Sequence, residues 1–199
     1  MSKPVVEFWF EFASTYSYLS AMRLPRMAEA SGVTVHWRPF LLGPIFAAQG
    51  MSDSPFKIFP TKGAYMWRDI ERLAARQGVP FRRLERFPQN GLHAARIAQI
   101  ALHRSEGIAF CHNVYLAEFA DGKDISDPET LADCAARAGL PTDILSNAKT
   151  PENKLALRHA TEAAAERGVF GAPSFLVGDE LFWGDDRLQD ALDWAIRHG

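Results

Sequence analysis

Cysteine is almost absent from this chain. Cys111 and Cys134 are the only two among 199 residues, and they stand far apart. A disulfide framework and a cysteine-built zinc site are excluded, and at most one bridge is left open. The six histidines show no His-Glu-x-x-His spacing. No phosphate loop, no dinucleotide glycine pattern and no Gly-x-Ser-x-Gly elbow occurs. No uninterrupted apolar run approaches the length of a membrane span. A formal charge of −2 gives no reason to expect nucleic acid or an anionic membrane as a partner. The N-terminus enters a strand-like run at once, without the basic, apolar and small-residue succession of a signal peptide. With so few cysteines, a cytoplasmic location in a reducing compartment is expected.

The residues that are present have the size and balance for one sizeable buried core: 47% are hydrophobic and 23% charged. Pro4 to Phe12 is β-rich and mostly apolar, as a strand covered on both faces requires. From Tyr16 to Ala30, Leu19, Met22 and Met27 recur at helical spacing and Gly32 supplies a stop, with Pro25 expected to kink or split the helix. Val33 to Arg38 reads as a second strand. Between Gly43 and Phe59, glycine, proline and serine predict a loop. Helices are expected over about 62–77, from Asn90 to about Arg104, and over about 109–119. Two more are expected from Asp127-Pro128 to Gly139 and from Thr150-Pro151 to Gly168, since a capping residue before proline marks a helix start. Ala172 to Val177 and Glu180 to Trp183 then form a hairpin about Gly178-Asp179, and Asp185-Asp186 open a last helix. The order is β-α-β, a helical block, then β-β-α. It predicts an α/β, thioredoxin-like fold, residues 1–39 and 166–199, with a large all-helical insertion domain over 40–165.

Chemistry is expected at the junctions. Ser14 stands after the first strand, at the start of the first helix, where backbone N–H groups are unpaired and the helix end is partly positive. A thiolate is stabilised in such a place. The serine hydroxyl is either a plain helix cap or a donor to a thiolate that something else brings. Ala172-Pro173 is either a rigid strand entry or a cis bond that opens the Ala172 backbone to a peptide-like ligand. Asp185 and Asp186 either complement the helix dipole or meet a ligand ammonium group. Lys62 is either solvated or reaches a ligand carboxylate. Phe10, Phe12, Tyr16 and the aromatic residues of 40–60 belong to the core or to an apolar substrate pocket.

Four segments appear in one order: Phe8 to Leu19 (FWFEFASTYSYL), Lys62 to Met66 (KGAYM), Gly168 to Phe175 (GVFGAPSF) and Trp183 to Leu188 (WGDDRL). Together they resemble the 2-hydroxychromene-2-carboxylate isomerases, relatives of the kappa-class glutathione transferases in the DsbA-like thioredoxin superfamily. The resemblance covers essentially the whole chain. It implies bound glutathione, a helical insertion and a homodimer. It places the catalytic serine on Ser14, the cis-proline pair on Ala172 and Pro173, and the γ-glutamyl contacts on Asp185 and Asp186. The ligand lysine falls on Lys62 and a polar loop contact on Asp53. The chain departs from the family at Thr15, where many members have proline, and at Asp53, where asparagine is common.

The activity so implied is glutathione-dependent isomerisation of a small aromatic substrate, 2-hydroxychromene-2-carboxylate or a similar compound, to the trans-benzylidenepyruvate. A kappa-like glutathione transferase or peroxidase would use the same thiolate site. A DsbA-like dithiol oxidoreductase is argued against because Ser14 and Ser17 cannot exchange a disulfide. A non-catalytic binding module on the same scaffold is the remaining alternative.

Overall fold

The computed structural model describes residues 3–199. Its centre is β1 (Val5–Phe10), in which Val6, Phe8 and Phe10 are wholly buried and Trp9 nearly so. Alternate side chains point to opposite faces of a strand, so a strand apolar at both sets must be covered twice. The two core clusters show this. Phe8 and Phe10 join the large cluster with Phe175 and Trp37, whereas Trp9 joins Phe40, Ile45, Ala164 and Leu176 on the other side.

β1 runs parallel to β2 (Thr34–Pro39) and antiparallel to β3 (Ser174–Val177), which pairs in turn with β4 (Glu180–Trp183). The sheet order is β2-β1-β3-β4, the thioredoxin-like arrangement that the β-α-β and β-β-α segments predict.

Between β1 and β2 lies α1 (Thr15–Ser31), closed by Gly32 in the left-handed conformation at φ 67. Pro25 does not split it. Proline carries no N–H, so the Ala21 carbonyl four residues earlier loses its usual helical donor. The ring of His112 fills the gap, with Nε2 at 2.9 Å from that oxygen. A histidine 91 residues away thus completes the ladder that the proline breaks.

Two short helices, α2 (Leu42–Ala48) and α3 (Pro55–Ile58), occupy the stretch expected to be a loop. Pro44 falls in the first turn of α2, where a missing N–H costs little. Ser54 caps α3 by accepting from the Phe56 amide at 3.3 Å, ahead of Pro55. That is the same capping-residue-before-proline signal that starts two later helices. The next helices are α4 (Pro60–Gln77), α5 (Leu92–Ala101) and α6 (Gly107–Phe119). They are followed by α7 (Pro128–Ala138), a short α8 (Ile144–Asn147) and α9 (Pro151–Glu166). Asn90 accepts from the Leu92 amide at 3.0 Å, so it marks the start of α5, but that helix ends three residues before Arg104. α6 is buried at Phe110, Cys111, Val114, Tyr115 and Phe119 and forms the middle of the helical layer. Cys111 and Cys134 are both buried free thiols.

A 3-10 turn (Asp185–Arg187) leads into the final helix, α10 (Leu188–His198), which packs on β1, β3 and α1. Among the described residues no helix is long and apolar enough to cross a membrane.

Candidate active site

Where β1 gives way to α1, a cavity of about 1250 Å³ opens between the sheet end and the helical layer. Four parts of the chain meet there: the turn at Glu11–Tyr16, the α2–α3 segment with the start of α4, residues 87–92, and the pair Phe170–Ala172 with Trp183–Asp186.

Ser14 has extended backbone (φ −96, ψ 114) and caps α1, its Oγ accepting from the Ser17 amide at 3.1 Å. The same hydroxyl donates to the Ala172 carbonyl at 3.0 Å, across 158 residues of sequence. The hydroxyl is therefore a helix cap, and it also donates across the fold to the cis-proline turn. Thr15 is buried and donates from Oγ1 to the Met66 sulfur at 3.3 Å. The first turn of α1 is thereby pinned to α4.

The Ala172–Pro173 bond is cis. Among the described residues no acceptor meets the Ala172 N–H, although its carbonyl is engaged by Ser14. Behind it, Gly171 lies so close to the Trp183 indole that a Cβ would clash. Trp183 and Phe170 are half-exposed and pack at 4.9 Å between centroids on the cavity edge. The Gly184 amide donates to the Pro173 carbonyl at 3.0 Å, which sets the 3-10 turn beside the cis bond.

The two adjacent aspartates have different surroundings. Asp185 is buried: Oδ1 accepts from Ser20 Oγ at 2.7 Å and Arg23 Nη2 at 2.6 Å, and Oδ2 accepts from Gln77 Nε2 at 3.3 Å. Its carboxylate ties α1 and α4 to the last turn. Asp186 stands open on the cavity, and among the described residues its one ion pair is with Arg187 at 3.3 Å. Asp53 is also engaged, with Lys57 Nζ at 2.6 Å and the Ser54 amide at 2.7 Å. The hydrogen bond from Lys57 holds its carboxyl below the ordinary value. Lys62 faces the cavity with its ammonium 6.0 Å from the Phe56 ring centre. Among the described residues neither Lys62 nor Arg76, also on the cavity, makes an ion pair.

Ser14, Asp53, Lys62, Ala172, Asp185 and Asp186 thus come to one cavity, and Pro173 is buried just behind it. Phe10 and Phe12 are wholly buried and belong to the core. Tyr16 alone of the three lines the cavity, and its hydroxyl donates to Asp69 Oδ2 at 3.0 Å. Burial and the Asp69 charge push that phenol well up, so it stays protonated. Arg23, Arg76 and Gln77 have no signal in the local sequence, and Glu11, Phe170 and Trp183 lie in the four quoted segments without a role of their own. They become visible only when distant segments meet.

A sheet of this order, with a capped helix end facing a cis-proline turn, defines a thioredoxin-like protein in which a serine holds the usual thiol place. A profile of the DSBA-like thioredoxin domain matches residues 5–194. A 2-hydroxychromene-2-carboxylate isomerase of Sphingobium xenophagum is 33% identical over 184 residues, covering 92% of this chain and 93% of that one. Human glutathione S-transferase kappa 1 is 25% identical over 199 residues, covering 92% and 87%. A solved 2-hydroxychromene-2-carboxylate isomerase structure superposes with a TM-score of 0.87 at 25% identity, over 97% of this chain and 95% of that one. The chain belongs to the DsbA-like thioredoxin family and, within it, to the 2-hydroxychromene-2-carboxylate isomerases and their kappa-class relatives. It is an enzyme of that family.

Proposed function

We propose that the chain is a glutathione-dependent isomerase that converts 2-hydroxychromene-2-carboxylate, or a related aromatic ring-fission product, to the trans-benzylidenepyruvate. The observation that carries this reading is the place of Ser14. Its one hydroxyl proton sits at the N-terminus of α1, against the Ala172 carbonyl, on a cavity with unpaired cationic groups. The residues present fit a peptide-like anion, since the Ala172 N–H is free and Lys62 and Arg76 offer positive charge. Bound glutathione supplies a thiol nucleophile that adds to and leaves a substrate double bond, which turns as a single bond in between.

The rest is done by the chain. Ala172 pairs through its backbone with the extended ligand, as an added strand does. Lys62 meets a carboxylate, and Asp186, the freer aspartate, meets the ammonium group. Asp185 acts through the position of the turn it anchors, and Asp53 through the α3 start. The Ser14 hydroxyl turns from the Ala172 carbonyl to an anion at the helix end, where unpaired N–H groups and the dipole already favour negative charge. The apolar cavity wall, with Phe170, Trp183 and Phe56, takes the aromatic ring. As in the resemblance, the working unit is a homodimer in the cytoplasm, which gel filtration with light scattering would check.

A kappa-like transferase is the second reading. The similarity to kappa-class enzymes over nine-tenths of the chain favours it. The two part on stoichiometry. With 2-hydroxychromene-2-carboxylate, isomerase action needs glutathione but leaves its concentration unchanged. Glutathione consumed one for one with product supports the transferase, and no rate above background overturns both.

A further inference from the structure

One buried carboxyl of the cavity, Glu11, is not among the residues assigned above to glutathione. Glu11 follows β1, three residues before Ser14, and the Ser14 amide donates to its carbonyl at 3.1 Å. Its side chain lies under the cavity wall. Oε2 accepts from the Leu42 amide at 3.0 Å. Oε1 lies against Gly91, where a Cβ would come within 2.8 Å of it. The residue is only 8% exposed, and what it exposes lines the cavity beside Ser14 and Asn90.

A buried glutamate ordinarily has a cation or several donors. Here, among the described residues, no lysine, arginine or histidine pairs with it. Burial pushes its carboxyl up to about 7, against smaller opposite effects of the Leu42, Ala13 and Phe12 amides. The titratable groups facing it are Tyr115 and Glu118 of α6, both driven upward mainly by burial and so kept protonated. From α2 it meets an amide, and before α5 a glycine. It is a carboxyl that changes charge near neutrality beside the reacting space.

We propose that Glu11 is the general acid–base group for opening the substrate ring. This rests on the isomerase reading. A 2-hydroxychromene-2-carboxylate is a cyclic hemiketal, and its opening needs one proton moved between two oxygens. The Glu11 carboxylate takes the hemiketal hydroxyl proton, and the O–H electron pair becomes the second bond of the new carbonyl. The ring C–O bond breaks with its pair on the aryl oxygen. Glu11 then gives the proton to that phenolate. No proton is gained or lost overall, and nothing is oxidised or reduced.

The test is Glu11→Gln, whose amide oxygen can still accept from Leu42. The expected result is turnover reduced roughly 100-fold, the scale of a lost general acid–base group. Glutathione affinity and the ultraviolet absorbance of its bound thiolate stay as in wild type, and the break near neutrality in the pH–rate profile disappears. In ligand-free protein, carbon-13 NMR shows a carboxyl titrating near neutrality that the variant lacks. Glu11→Asp keeps the break with reduced turnover, and it carries the test if the glutamine variant does not fold. Wild-type turnover and an unchanged break in Glu11→Gln overturn the assignment while the isomerase reading stands. Loss of the thiolate absorbance in the variant also overturns it, because Glu11 would then serve the ligand thiol. A wild-type enzyme that isomerises nothing removes the isomerase reading and this step with it.

Discussion

At the scale of single residues, the two functions of Ser14 can be separated. Ser14→Ala loses the helix cap, about 1 kcal/mol, and the hydroxyl donor, whose removal from a developing anion lowers turnover about 100-fold or more. Ser14→Gly keeps most of the cap stability, to within a few tenths of a kcal/mol, and should show the same loss of turnover. Thermal melts and initial rates on both variants check this. Asp185 and Asp186 should diverge in the same way. Asp185→Asn removes the charge that Arg23, Ser20 and Gln77 surround, and stability should fall by about 2 kcal/mol. Asp186→Asn should leave the melting temperature unchanged and weaken glutathione binding about tenfold, one lost charge contact, as calorimetry would read. The resemblance assigned both aspartates to the ligand, and both line the cavity. It could not tell them apart, because what distinguishes them is a contact with Arg23, 162 residues away.

At the scale of elements, α1 depends on a partner outside itself. His112 donates to the carbonyl that Pro25 leaves without a helical donor. His112→Leu should therefore cost about 1–3 kcal/mol, the desolvation penalty of an unpaired buried acceptor. In a Pro25→Ala background the restored N–H takes over, so the same substitution should cost much less. A double-mutant cycle by urea denaturation measures that coupling. Burial holds the His112 ring below its ordinary value. A base with a depressed folded value contributes stability above its unfolded value near 6.5, and loses it as pH falls toward the folded one. Helix starts marked by a capping residue before proline were legible at Asp127 and Thr150. The equal signal at Ser54 was obscured by the glycine and serine around it. The continuity of α1 was not legible, because its rescue comes from another helix.

At the scale of the whole molecule, the sheet order and the place of the helical block follow from hydrophobic pattern and turn residues, which are local. The cavity does not, since four distant segments build it. Its buried carboxyl has a global consequence. Glu11 ordinarily titrates near 4.5 and is raised to about 7 in the fold. A raised folded value gives stability present below 4.5 and lost as pH rises through 7, on the order of 3 kcal/mol at 1.36 kcal/mol per unit. Denaturation at a series of pH values should show that decline in wild type and a smaller one in Glu11→Gln. The central claim is that the sulfur missing from Ser14 and Ser17 is supplied by a bound tripeptide and kept as a thiolate by Ser14. The most direct measurement is the ultraviolet thiolate absorbance of glutathione bound at neutral pH, in wild type and in Ser14→Gly. The account predicts a thiolate band in wild type that is largely lost in the variant while glutathione still binds. No bound glutathione in wild type, or an undiminished band in the variant, would contradict it.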